Sequence, residues 1–205
     1  KVDDEYKNRD NRMNNQLMVP GQTYWGTNGG RIDWSGNAAE IANASHRNFM
    51  PQTGTGYFPH KWCSERDGVP TGMEAYDFPI IRYAEVLLNY AEAMVNAYGD
   101  INKTTEKCKM SALQAINAVR GRKSVEMPAL SSTLTPAEFL EKVKHERRVE
   151  LAFEGHRFWD LRRWKDLDES KNIYGVKIVK NGDEITYTKS CLLYTSPSPR
   201  DMRRS

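Results

Sequence analysis

Between residues 79 and 98 the polar side chains Arg82, Glu85, Asn89, Glu92 and Asn96 recur at alternating spacings of three and four. That spacing draws one narrow stripe along a helix, and nearly everything else, from Ile80 through Leu88 to Met94, is apolar or small. The pattern predicts a helix from about Pro79 to Tyr98, with proline in its first turn and Gly99 just past its end. A helix that is apolar around most of its circumference must be covered on several sides, so this is expected to be a core helix. A second helix is expected from about Thr105 to Arg120, stopped by Gly121, with Cys108, Ala112, Leu113, Ile116 and Val119 along its apolar line. The short link at 99–104 and the small residues Ala91, Ala93, Ala112 and Ala115 favour a close antiparallel helical hairpin of the tetratricopeptide-like kind.

A third helix carries the clearest start signal. Thr135-Pro136-Ala137-Glu138 reads as a capping box with proline at the first helical position. The seam that follows is Phe139, Val143, Glu146, Glu150 and Phe153, so two carboxylates stand where a core helix would ordinarily place leucine. Gly155 is expected to interrupt this helix. Beyond it Phe158, Trp159, Leu161 and Trp164 continue the apolar surface, with Trp159 and Trp164 expected in the core. Residues 176–188 read as a β-hairpin turning at Asn181-Gly182, which would pair Ile178 with Ile185 and Val176 with Tyr187.

Composition then divides the chain. Residues 1–78 hold nine of the 14 glycines and three of the five tryptophans, so they read as loop-rich and as the ligand side of the protein. Residues 79–189 form the helical body with its terminal hairpin. Residues 190–205 have no periodicity and look like translated adapter sequence, expected to be non-native and disordered. Lys1 is not an initiating methionine, and the polar stretch from Lys1 to Asp10 lacks the apolar run of a secretory signal, so a truncated start is expected.

The charge of +3 is too small for a nucleic-acid partner, and +2 of it comes from Arg200, Arg203 and Arg204 against Asp201. Three scattered cysteines, Cys63, Cys108 and Cys191, give neither a disulfide framework nor a zinc signature. His60 and Cys63 have ligand-like spacing, but two ligands do not complete zinc's four-coordinate shell, so no metal and no cofactor is expected. Glu146 and Glu150 invite comparison with a glycoside hydrolase. Carboxylates one turn apart on one seam flank a scissile bond poorly, however. A buried pair held by Arg82, Arg157 or Arg162 accounts for them better, because unpaired buried charge is very costly. No serine-nucleophile elbow, metalloprotease motif or phosphate loop is present.

Two stretches carry a family resemblance. Phe78-Pro79-Ile80-Ile81-Arg82-Tyr83-Ala84-Glu85-Val86-Leu87-Leu88-Asn89-Tyr90-Ala91-Glu92-Ala93 closely resembles the SusD/RagB helix motif. So does the stretch from Glu146-Arg147-Arg148-Val149-Glu150 through Gly155-His156-Arg157-Phe158-Trp159-Asp160 to Trp164. Ala115-Ile116-Asn117-Ala118-Val119-Arg120 is similar to the segment between them. Arg9-Asp10-Asn11-Arg12 is similar to an early stretch of the family, with Asn11 where proline is usual. The resemblance implies a mainly α fold: an α-superhelix of tetratricopeptide-like hairpins with long irregular loops and a small β-hairpin. It makes Arg82, Glu85, Glu146, Arg147, Arg148, Glu150, Arg157, Trp159 and Asp160 structural-motif residues.

It also implies a non-enzymatic glycan-capture subunit at the bacterial outer-membrane surface. Such a subunit works beside a TonB-dependent, SusC-like transporter. It is held by an N-terminal lipid anchor that this sequence does not contain; the N-terminal helices and the C-terminal segment of the full pattern are absent too. Within the loop-rich part, Gly21 to Trp34 mixes aromatics with amides and charges. Sugar rings stack their apolar faces on aromatics while amides and charged groups bond the hydroxyls, and loops are where such sites are built. Tyr24, Trp25, Asn28, Arg31 and Trp34 are therefore the candidate ligand-binding residues, and Trp62 is a weaker one. The competing expectations are that these tryptophans only pin the loops, or that the whole is a protein-interaction scaffold.

Overall fold

A computed structural model describes residues 8–18, 31–33, 46–48, 59–62, 79–171, 174–181 and 184–191. Among these the chain is mainly helical. It forms two compact units: Arg9–Met13 with Asp77–Trp159, and Lys1–Asn8 with Asn14–Tyr76 and Asp160–Ser205.

The first unit is built around helix α2 (Tyr83–Tyr98), which packs against both α3 (Ala112–Arg120) and α4 (Pro136–Glu150). A short helix α1 (Arg12–Gln16) precedes them in the chain. Leu88, Ala91, Ala112, Ala115, Ile116, Phe139 and Val143 are wholly covered and share one apolar cluster. Each large apolar side chain covered in this way is worth about 1.5–3 kcal/mol. The alanines let backbones approach closely, except Ala93, which is exposed.

Helix α2 starts at Tyr83, not at Pro79. Arg82 stands at its N-cap in extended conformation (φ −109°, ψ 150°), and its side chain does not cap the helix. Ile80 is 88% exposed, and Ile81, Tyr83 and Val86 are exposed too, so the helix is covered on one side rather than all round. Its end is as expected: Gly99 takes the left-handed conformation (φ 64°) and its N–H donates to Val95 O.

Helix α3 begins at Ala112, well after the expected Thr105. Thr105 instead closes a local turn: its N–H donates to Cys108 O at 2.8 Å, and its Oγ1 accepts from Cys108 N–H at 2.9 Å. The helix then starts on a second capping box, in which Ser111 Oγ accepts from Gln114 N–H and Gln114 Oε1 accepts from Ser111 N–H. The Thr135 capping box of α4 forms as expected, with Pro136 in the first turn. This helix ends at Glu150, before Gly155, and Phe153 leaves the seam: it is exposed, with a left-handed backbone (φ 63°).

Gly155 (φ 80°) completes the turn into α5 (His156–Trp164). Asp160 and Leu161 are the buried residues of α5, whereas Phe158 and Trp159 are exposed. Trp159 is 62% exposed, so its expected place in the core is corrected; the turn at 151–155 separates α5 from α4 and breaks the apolar run. Trp164 is partly buried, with the Arg163 guanidinium 4.5 Å from its ring centroid.

In the second unit β1 (Arg31–Asp33) and β2 (His46–Asn48) pair in parallel. β3 (Tyr174–Asn181) and β4 (Glu184–Cys191) form the antiparallel hairpin. Its register pairs Asn181 with Glu184, Ile178 with Tyr187 and Val176 with Lys189. The pairings expected from a turn at Asn181-Gly182 are therefore corrected: Asn181 belongs to the ladder, and the connection is residues 182–183.

Candidate functional site

The densest chemistry in the described residues is an arginine–carboxylate cluster in the helical unit, seated on the last turns of α4. Glu146 and Glu150 are one turn apart, so they share the face of α4 that bears Phe139 and Val143. They are 1% and 2% exposed. A carboxylate at such depth persists only with charged and hydrogen-bonding partners on its oxygens.

Both have them. Arg12 Nη1 donates to Glu146 Oε1 at 2.6 Å and to Glu150 Oε2 at 2.9 Å, bridging the two. Arg120 Nη1 reaches Glu146 Oε2 at 2.7 Å. Arg82 Nη1 reaches Glu150 Oε1 at 3.0 Å, and Arg122 Nη2 reaches Glu150 Oε2 at 3.0 Å. Arg82 also forks onto Glu154, with Nε to Oε2 at 2.8 Å and Nη2 to Oε1 at 2.7 Å, while Nη2 donates to Glu150 O. That last bond satisfies a carbonyl at the helix C-terminus, where cations are favoured. Asp10 lies on the far side of Arg12, accepting from its Nε at 2.9 Å and its Nη2 at 2.6 Å.

Local structure places each arginine. Arg120 is the last residue of α3, and its Nε donates to Pro128 O, clipping down the chain that leads into α4. Asn117 clamps the same stretch through Leu130 N–H and O. Arg12 opens α1, and Asn11 Nδ2 donates to Val125 O at 3.1 Å. Burial acts against the charge on Arg12, yet the hydrogen bonds it donates to Asp10, Glu146 and Glu150 raise its pKa above the ordinary arginine value. For Arg82 the Glu154 fork is the largest influence, and it outweighs burial to the same effect. Burial alone would raise the Asp10 pKa, but its bonds from Arg12 hold it below the ordinary carboxylate value.

The polar stripe of α2 faces this chemistry. Besides Arg82, Glu85 lies 3.7 Å from His156 Nε2, and Asn89 Oδ1 accepts from the buried Arg147 at 2.5 Å. Arg148 is exposed, Arg157 is partly buried, and buried Asp160 accepts from Arg163 Nε at 2.8 Å. The sequence reading named Arg82 as a partner of the two carboxylates, but missed Arg12, Arg120, Arg122, Asp10 and Glu154. The available signal was charge alternation in Arg9-Asp10-Asn11-Arg12 and the pair Arg120/Arg122 flanking a helix stop.

Chemically the cluster is closed. With guanidinium groups on both oxygens of each glutamate and almost no exposed surface, neither carboxylate can approach a scissile bond. Among the described residues, no group of three His, Cys, Asp or Glu is placed to hold a metal ion. His60 Nδ1 lies 3.2 Å from Asn14 O, while Cys63 lies outside the described residues. Trp62 is partly buried, with Lys61 Nζ 5.6 Å from its ring centroid. Tyr24, Trp25, Asn28 and Trp34 also lie outside the described residues, and of Arg31 the backbone alone is described, in β1.

A mainly helical chain whose helical unit is tied together by this cluster is, as a class, a mainly α protein. The chain belongs to the SusD family, whose model matches residues 1–191. No curated protein and no solved structure matches it.

Proposed function

We propose that this chain is the ligand-capturing portion of a glycan-binding nutrient-uptake protein of the bacterial cell surface. It takes up oligosaccharides and hands them to a SusC-like, TonB-dependent outer-membrane transporter without hydrolysing them. Membership of the SusD family over residues 1–191 carries this reading. The closed state of Glu146 and Glu150 supports the non-enzymatic part, since a glycosidase needs two carboxylates free to flank the bond. No helix among the described residues is long and apolar enough to cross a membrane. Attachment through a lipid anchor and the transporter belongs to the same family-based reading.

Tyr24, Trp25, Asn28, Arg31 and Trp34 are the proposed ligand contacts, with the aromatic rings stacking on sugar and the polar groups bonding hydroxyls. The test is binding of a polysaccharide panel to the full-length protein and to its Trp25→Ala and Trp34→Ala variants. At least one glycan should bind, each variant should weaken it while keeping the thermal midpoint, and no reducing ends should appear. A lowered midpoint with unchanged affinity would make these residues structural pins. Release of reducing ends that Glu150→Gln abolishes would restore the hydrolase reading.

A further inference from the structure

We propose that the outer face of α2 is a self-association surface, on which two copies of this chain pair antiparallel about a two-fold axis close to Tyr90. The proposal goes beyond the proposed function and does not depend on it. It starts from a mismatch between composition and cover. The polar residues of α2 fill one narrow stripe, so apolar and small residues take up the rest of its circumference. The helical unit covers the part of that arc marked by Leu87, Leu88 and Ala91. Tyr83, Val86, Ala93 and Ala97 stay exposed, Tyr83 at 72%, and Tyr90 among them is partly buried. Their spacing of three, four, three and four draws a second seam along the same helix. The exposed Ile80 and Ile81 extend it ahead of the first turn.

The order of sizes along this seam selects the occupant. Its first half carries Ile81, Tyr83 and Val86. Its second half carries Ala93 and Ala97 and ends at Gly99, which has open space beside it. A parallel partner would set bulk against bulk and leave the alanines facing a gap. In an antiparallel isologous pair each large residue meets a small one, and does so twice. Tyr83 lies over Ala97 of the second copy, Val86 over its Ala93, and Ile81 over its Gly99. Tyr90 falls at the axis with its hydroxyl already committed to its own chain, donating to Met110 O. The seam residues carry no charge, and the exposed Asn89 and Asn96 beside them are neutral, so like charges are not brought together there. Small residues at such a seam let two helices approach closely and interdigitate. The surface is smaller than the roughly 800 Å² per partner of a standard interface, so the dimer is weak and reversible.

Sedimentation equilibrium of the 205-residue chain tests this. The average mass should rise from monomer towards dimer between about 1 and about 100 μM. Val86→Glu and Ala93→Lys each put a charge at an exposed position of the seam. Each should keep the thermal midpoint and weaken association by on the order of tenfold or more. Mixed in equal amounts, the two variants should regain the parent's association, because the new acid of one chain falls opposite the new base of the other. That rescue is the signature of the antiparallel register. Tyr83→Glu with Ala97→Lys repeats the test at another level of the seam, and it decides the matter if a variant of the first set fails to fold. A chain that stays monomeric at the highest concentration overturns the inference. So does a dimer that neither variant weakens, and so does a weakening that mixing fails to reverse.

Discussion

At the residue scale the telling feature is that two acids occupy seam positions of α4 that an apolar packing rule would give to leucine. Their worth is not net attraction, because burying charge costs several kcal/mol per ion and the pairing roughly returns it. What they supply is direction. Glu150 orients Arg12, Arg82 and Arg122, which come from three separate segments, and so fixes where those segments meet. Glu146 orients Arg12 and Arg120. Glu150→Ala removes the common partner of three cations and leaves them crowded, so it should cost about 3–5 kcal/mol in denaturant unfolding. Arg12→Gln should cost clearly less, because Glu146 and Glu150 each retain another arginine. Equal losses would mean that the cluster acts as one indivisible unit.

At the element scale, boundaries were set by local hydrogen bonding that apolar periodicity does not register. Cys108 fits the apolar line of α3, yet Thr105 ties it into a turn and Ser111 with Gln114 restarts the chain as helix. Ser111→Ala should therefore cost about 1 kcal/mol, within the range of roughly 0.5–2 for lost N-caps, and fray α3 from its first turn. A thermal midpoint and α3 amide protection indistinguishable from the parent's would show that this box contributes nothing. The Thr135 box was legible because proline and the apolar seam follow it at once. The box at Ser111 lay inside a stretch whose spacing already looked helical. The polar stripe of α2 was legible as a stripe, but its purpose needed the partner face: Arg82, Glu85 and Asn89 meet groups of α4, of the turn after it, and of α5. Trp159 misled for a related reason. Its place in an apolar run says nothing of the turn at 151–155, which ends α4 and starts α5 as a separate helix. In β3–β4 the strands were legible, but the register hung on which two residues connect them.

At the scale of the whole molecule, a core of modest size is joined to a charge cluster, so stability should respond to acid. Asp10 and Glu138 have pKa values depressed in the folded protein. For Asp10 burial pushes upward and Arg12 prevails; for Glu138 the hydroxyl and N–H of Thr135 do the lowering. The unfolded chain therefore binds these two protons more readily than the folded one. Their contribution to stability is complete above the ordinary values of 3.8 and 4.5, and it is lost as pH falls through the depressed folded values. Arg12 and Arg82 shift the other way, upward from the ordinary arginine value. Their contribution is complete below that value and remains so throughout the neutral range. Acid thus removes these stabilising terms, and mild alkali leaves them in place. The urea midpoint should fall as pH drops from about 5 to about 3, and a chain carrying both Asp10→Asn and Glu138→Gln should fall less steeply while starting from a lower midpoint at neutral pH. The two groups lie in different parts of the helical unit, one beside Arg12 and one in the first turn of α4. The single variants should accordingly contribute independently to the flattening. An acid limb as steep in the double variant as in the parent would assign the loss to other carboxylates.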